Sequence, residues 1–285
     1  MFRLLDVGGR PALEGDGTWH DVARLSGDAS LATAKACLAR SAELHELSAR
    51  CTPANADGAL ADVVLGPPVP RPGQVFGIGL NYRDHAAETG APLPPAPLTF
   101  TKFPSCIAGP TADIPLTGDA VDWEVELVAV IGQTCSSVPV AEAWGVVAGL
   151  MLGQDVSDRT VQRAGVPPQF SLGKSFPSFG PTGPAVVSLD HFADPDDIAL
   201  SCEVSGEVVQ SSTSAQLIFT IPQLVAYLSS VCTLSPGDLI FTGTPAGVGM
   251  SRGRFLAPGE VVVSRADGIG QLRNTCVPGR GPLAL

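Results

Sequence analysis

The pattern of apolar and polar positions changes character near residue 70. Before it, two short strand-like runs flank the turn signals Gly8-Gly9 and Gly15-Asp16-Gly17. The Ala-, Leu- and Glu-rich stretch Leu31–Ala49 then predicts one helix. The prolines of Gly66–Gly73 allow neither helix nor central strand, so residues 67–73 read as a linker after a small unit, residues 1–66. From residue 74 to 285 the apolar runs lengthen. Val75–Leu80, Thr99–Ser105, Val146–Leu152 and Leu239–Phe241 read as strands, and Ile198–Gln210 as a hairpin turning near Ser205-Gly206-Glu207. Ile218–Ser230 predicts a helix with an apolar face, and Phe176–Pro184 predicts loop.

The most informative run is Asp122-Trp123-Glu124-Val125-Glu126-Leu127, continued by the apolar Val128–Ile131. Read as one strand, it places Asp122, Glu124 and Glu126 on one face and Trp123, Val125 and Leu127 on the other. Like charges leading into a core repel and are costly to desolvate, a cost that a bound hard cation such as Mg²⁺, Mn²⁺ or Ca²⁺ would offset. A strand with one solvated face is the alternative at this point.

Composition narrows the field. Hydrophobic residues make up 45% of the 285, enough for a sizeable core. The net charge of −11 argues against nucleic acid or an anionic membrane as partner. No run of apolar residues is long enough to span a bilayer. The N-terminus meets Asp6 and Gly8-Gly9 too early for a secretory signal. The seven cysteines are scattered and form no C-x-x-C pair, so reduced thiols in a cytoplasmic protein are expected.

Candidate chemistry lies at the ends of the strands. His85 and Glu88 follow Val75–Leu80 at a spacing that puts them on one helical face, where a carboxylate orients an imidazole as a general base requires; an ordinary surface pair is the alternative. The glycines before them do not form G-x-G-x-x-G, so a dinucleotide site is not supported. The Pro-rich stretch Pro92–Pro97 makes a mobile lid plausible. If a helix starts at Asp155, then Asp155, Arg159 and Gln162 share a face, as an N-cap with an ion pair or as a ligand, a guanidinium and an amide. Ser171-x-x-Lys174 matches a β-lactamase spacing, but S-D-N and K-T-G are missing; Lys174 remains a candidate cation. Thr242-Gly243-Thr244 could offer Thr244 and backbone N–H groups to a carboxylate.

Taken together, these stretches resemble the fumarylacetoacetate hydrolase family. The matching pieces are Gly79-Leu-Asn-Tyr-Arg-Asp-His85-Ala-Ala-Glu88, Asp122-Trp-Glu124-Val-Glu126-Leu, Asp155-Val-Ser-Asp-Arg159-Thr-Val-Gln162, Gly173-Lys174-Ser-Phe, and Pro236-Gly-Asp with Thr242-Gly-Thr244-Pro. They stand in the family's order over roughly residues 74–275. Gln154 stands where that family often has asparagine, and Thr160 where it often has an acid.

The resemblance implies an α+β, β-rich fold: a rolled mixed β-sheet with a small N-terminal α+β domain, in a homodimer. It implies that Glu124, Glu126 and Asp155 bind Mg²⁺ or Mn²⁺, with Ca²⁺ as a possible substitute. It gives His85 and Glu88 the activation of water on a closing lid, and Lys174 the stabilisation of an enolate. Tyr82, Arg159, Gln162 and Thr244 would surround a small anionic 2-oxo acid. The implied activity is hydrolysis of a C–C bond in a 1,3-dicarbonyl acid of acylpyruvate or fumarylpyruvate type, through an enolate stabilised by the metal. Oxaloacetate-type decarboxylation and 2-hydroxy-dienoate isomerisation suit the same residues, and a non-catalytic metal-binding homologue is a further reading.

Overall fold

A computed structural model of the chain describes residues 1–281. The rest of the predicted large unit, residues 282–285, lies outside the described residues.

The frame is a mixed sheet. Its main path runs Gly58–Ala59, Thr18–Asp21, Arg10–Glu14, Arg3–Val7, Gly180–Val187, Val147–Gln154, Val125–Ile131, Leu239–Phe241, Val75–Gly79 and Leu98–Thr101. A second, five-stranded sheet orders Glu207–Thr213, Ala199–Val204, Val261–Ala266, Gly270–Pro278 and Ile114–Leu116. The fold is therefore the strand-rich α+β class that the sequence implied. Its N-terminal strands extend the large sheet, because Arg3 and Leu4 pair with Val187 and Val186. The change of pattern at residues 67–73 thus separates two stretches of sequence that share one sheet.

Val125–Ile131 is buried along its whole length, Glu126 included, and from Val128 onward it carries apolar residues on both faces. Leu127, Ala129 and Ile131 enter one core with Leu200, Val262 and Leu272 of the second sheet. Val128 and Val130 enter another core with Phe2, Leu4, Val22, Leu38 and Leu44 from the N-terminal stretch. The first 66 residues therefore close one face of the central strands.

Four local expectations change. The single helix predicted over Leu31–Ala49 is two, Ala34–Leu38 and Ser41–Ser48, because Arg40 leaves helical geometry at φ −124° and ψ 43°. The strand predicted from Asp122 breaks at Trp123 and Glu124. The Trp123 N–H turns to the Asp122 carboxylate, and the Glu124 N–H is taken by the Gln154 side chain at 2.9 Å.

No helix starts at Asp155. Ser157–Asp158 pairs with Val121–Asp122, and the helix is Arg159–Gln162, capped by Asp158 accepting from Thr160 and Val161. Asp155 and Arg159 thus reach the same place by different elements. Finally, the predicted loop Phe176–Pro184 becomes strand from Gly180, held between Val147–Gln154 and Arg3–Val7. The predicted hairpin and the helix, here Ile221–Ser229 with a Thr220/Gln223 capping box, are present.

Candidate active site

The site sits where the central strands end. The pairing of Val125 with Gln154 brings Asp155 beside Glu124, and the Asp155 N–H donates to the Glu124 carbonyl at 2.9 Å. Next along the sheet, Thr242 donates to Leu127, and the following N–H, that of Gly243, donates to Glu126 Oε2 at 2.8 Å. Gly243 has φ +103°, a conformation that suits glycine and lets its N–H meet a carboxylate here. Oxygens of Glu124, Glu126 and Asp155 all lie within 4.8 Å of one another.

Cations balance most of this charge. Lys174 Nζ donates to Glu124 Oε2 at 2.8 Å and to Asp155 Oδ2 at 2.7 Å. Arg159 bridges Asp122 Oδ2 and Glu124 Oε1, both at 2.7 Å. Lys102 Nζ donates to Asp155 Oδ1 at 2.6 Å, to the Phe179 carbonyl at 3.1 Å and to the Lys174 carbonyl. Burial would push the Glu124 carboxyl up, but Lys174 and Arg159 hold it down to about 2. Burial, then the charges of Asp155 and Glu124, push Glu126 well above the usual carboxylate range. Burial would lower the Lys174 ammonium, yet Asp155 and Glu124 raise it.

The cluster, Asp122 included, holds four acids against three bases. Among the described residues, the Glu126 side chain receives a single hydrogen bond, from Gly243. Three convergent hard oxygen donors with one negative charge in excess fit a divalent cation.

A cavity of about 380 Å³ opens above the cluster. Glu124, Lys174, Arg159 and Gln162 line it with His85, while Leu80, Leu98, Phe100, Phe170, Val248 and Met250 form apolar walls. His85 and Glu88 lie on the helix Arg83–Thr89, with His85 Nδ1 3.0 Å from Glu88 Oε2. The other oxygen of Glu88 accepts the Gly247 N–H at 2.9 Å, and Asp84 accepts the Ser212 hydroxyl at 2.7 Å. The helix is thereby tied to two neighbouring segments.

The structure thus gathers Glu124, Glu126, Asp155, Lys174, Arg159, Gln162, His85 and Glu88 into one place. Thr244 lines the cavity, but its hydroxyl is engaged by the Val125 carbonyl and by Gln210 Nε2. Tyr82 is wholly buried, is not among the cavity-lining residues, and has a hydroxyl with no partner among the described residues. Sequence reasoning assigned no role to Lys102, although a signal existed. Lys102 is two residues from the inward-facing Phe100, so on a strand it shares that face.

The family model described as Fumarylacetoacetate (FAA) hydrolase C-terminal matches residues 74–277. The chain belongs to the fumarylacetoacetate hydrolase family. It is 41% identical over 221 residues to a mitochondrial oxaloacetate tautomerase of Bos taurus, covering 76% of this chain and 70% of that protein. A Mycobacterium smegmatis protein provisionally assigned as HpcE has a solved structure with TM-score 0.91 and 42% identity, covering 97% of this chain and 99% of that one. The maleylpyruvate hydrolase of Sphingobium sp. SYK-6, solved with manganese(II) and pyruvate, aligns with TM-score 0.83 and 28% identity, over 98% of this chain and 100% of that one. Gln154 supports the triad from behind: its oxygen accepts the Glu124 N–H at 2.9 Å and its amide donates to Ser264 at 2.8 Å, fixing the Glu124 backbone to the second sheet.

Proposed function

We propose that this family member is a divalent-metal-dependent hydrolase that cleaves a C–C bond in a 1,3-dicarbonyl 2-oxo acid of the acylpyruvate type. The observation that carries this reading is His85, paired with Glu88 at 3.0 Å, lining the same cavity as Lys174, Arg159 and Glu124. Glu124, Glu126 and Asp155 would hold Mg²⁺ or Mn²⁺, which when bound supplies a Lewis acid for the oxygens of a 2-oxo acid.

This chain's own residues do the rest. Glu88, fixed by Gly247, accepts from His85 Nδ1 and leaves Nε2 free to take a proton from water attacking the distal carbonyl. Lys174 directs its ammonium at the negative charge that develops on the departing enolate oxygen. Arg159 and Gln162 meet the carboxylate of the 2-oxo acid. The walls around Leu98, Phe100, Phe170 and Val248 exclude water and suit an apolar acyl group.

The test follows the enol absorbance of a simple acylpyruvate with Mg²⁺ and with EDTA. Metal-dependent loss with pyruvate and a carboxylic acid released supports hydrolysis. No loss in either condition overturns it. A second reading, in which oxaloacetate is tautomerised or decarboxylated, is supported by the 41% identity to the bovine tautomerase. Oxaloacetate consumed faster than the acylpyruvate, giving its enol or pyruvate plus CO₂, would favour that one.

A further inference from the structure

Asp122 belongs to the acidic stretch yet stands outside the triad, and its contacts show why. Its Oδ1 accepts the N–H groups of Trp123 at 2.8 Å and Gly249 at 2.6 Å. Its Oδ2 accepts the Met250 N–H at 3.0 Å, Arg159 Nε at 2.8 Å and Arg159 Nη2 at 2.7 Å. Five donors saturate a carboxylate that offers roughly four lone-pair sites. Nothing is left for a cation.

The other side of the contact is more telling. A guanidinium has about five N–H donors in a rigid fork. Arg159 commits Nε and Nη2 to Asp122 and Glu124, and one Nη1 hydrogen to Gln162 Oε1 at 2.9 Å. The second Nη1 hydrogen has no acceptor among the described residues. The Gln162 amide, with its oxygen turned to Arg159, likewise keeps an NH₂ without an acceptor there. Both residues line the cavity. Together they form an uncommitted donor edge suited to one carboxylate.

We propose that Asp122 is a positioning residue. It locks the rotation of Arg159 so that the Nη1 edge and the Gln162 amide remain free for the carboxylate of the ligand. This rests on reading the cavity as a 2-oxo acid site. Without the Asp122 charge, the buried guanidinium would retain Glu124 as its only anionic partner. It would rotate toward that residue and withdraw the free edge. Because Asp122 also holds the Gly249 and Met250 N–H groups, it joins the Met250 wall to the same carboxylate. Asp122 therefore acts on ligand affinity through Arg159, and its own side chain touches none of Glu124, Glu126 and Asp155.

The experiment measures binding, using oxalate as a non-reacting probe with two adjacent carboxylates. Calorimetry with Asp122→Asn, in Mg²⁺, is expected to show oxalate binding weakened at least tenfold and Mg²⁺ affinity changed by less than about threefold, since oxalate then loses a charge-assisted bond to the displaced guanidinium. With a turned-over substrate, KM rises more than kcat falls. The losses in Asp122→Asn and Arg159→Lys overlap in the double variant rather than multiply. Oxalate bound as tightly as by wild type, or oxalate and Mg²⁺ lost in parallel, overturns the proposal.

Should Asp122→Asn not fold, the wild-type protein still decides. ¹⁵N NMR should find the Arg159 Nε–H, assigned by its absence in Arg159→Lys, exchanging far more slowly than exposed arginines. Exchange at the rate of an exposed arginine overturns it. Failure of wild type to bind oxalate would instead count against the 2-oxo acid reading, while the exchange measurement separately judged the Asp122 clamp.

Discussion

Lys102 Nζ lies 2.6 Å from Asp155 Oδ1, and neither side chain is exposed to solvent. This buried pair determines how Asp155 meets its neighbours. With Oδ1 held by Lys102 and Oδ2 by Lys174, the carboxylate cannot rotate, which keeps an oxygen within 4.8 Å of those of Glu124 and Glu126. Lys102 also ties down the carbonyls of Lys174 and Phe179, so one ammonium aligns three segments.

Lys102→Met should therefore destabilise the fold by about 3–5 kcal/mol, the usual cost of removing one partner of a buried ion pair. Two carbonyls also lose their donor. Urea unfolding would measure it, and a loss below about 1 kcal/mol would show that the pair adds no net stability.

A divalent ion should stabilise the protein against heat, because it binds the folded triad and finds no such triad in the unfolded chain. At a hundred times its Kd the gain is about 2.7 kcal/mol. EDTA should lower Tm, and added Mg²⁺ or Mn²⁺ should restore it. Glu126→Gln removes one of three converging carboxylates, so its Tm should no longer respond to the ion. An unchanged response would take Glu126 out of the site.

His85→Gln should lower kcat by about 10²–10⁴-fold if His85 is the base that moves the proton. Glu88→Gln removes the acceptor that fixes His85 Nδ1 and should give a smaller loss. Metal-dependent thermal shifts should persist in both, since neither residue belongs to the triad. Steady-state kinetics beside those shifts separates lost chemistry from lost metal.

Acid should weaken the N-terminal stretch through Asp21. The hydrogen bond from Arg10 holds this carboxyl below its ordinary range, against burial and with help from the Arg24 N–H. A lowered folded pKa means that the stabilisation is complete above the unfolded value, near ~3.9, and is lost as pH falls through the folded one. Asp21→Asn should thus lose stability at pH 6 and converge with wild type toward pH 2. Equal urea midpoints at pH 6 would show that the pair is idle.

Much of the local structure was legible in sequence. Unbroken apolarity over Val128–Ile131 announced a strand passing into structure buried on both faces, because side chains alternate and neither set there is polar. The three-residue spacing of His85 and Glu88 announced their contact, because one helical turn joins them. The apolar face of Ile218–Ser230 announced the helix found at Ile221–Ser229, because apolar positions at helical spacing gather on one side. Each of these is a relation within a few residues. A helix from Asp155 was misread because Asp155 and Arg159 have the spacing of a turn, whereas a strand pairing of Ser157–Asp158 intervenes.

What the sequence by itself determined was the set of candidates: the buried strand, the imidazole–carboxylate pair, the carboxylates, and the lysine and arginine available to balance them. Only the tertiary structure decided which groups meet. The pairing of Val125 with Gln154 places Asp155 beside Glu124, and the neighbouring Leu239–Phe241 strand delivers the Gly243 N–H to Glu126. It also sends Asp122 to Arg159 rather than to a cation, and buries Lys102 against Asp155. These contacts span tens of residues and depend on strand register, which periodicity within a single segment does not encode.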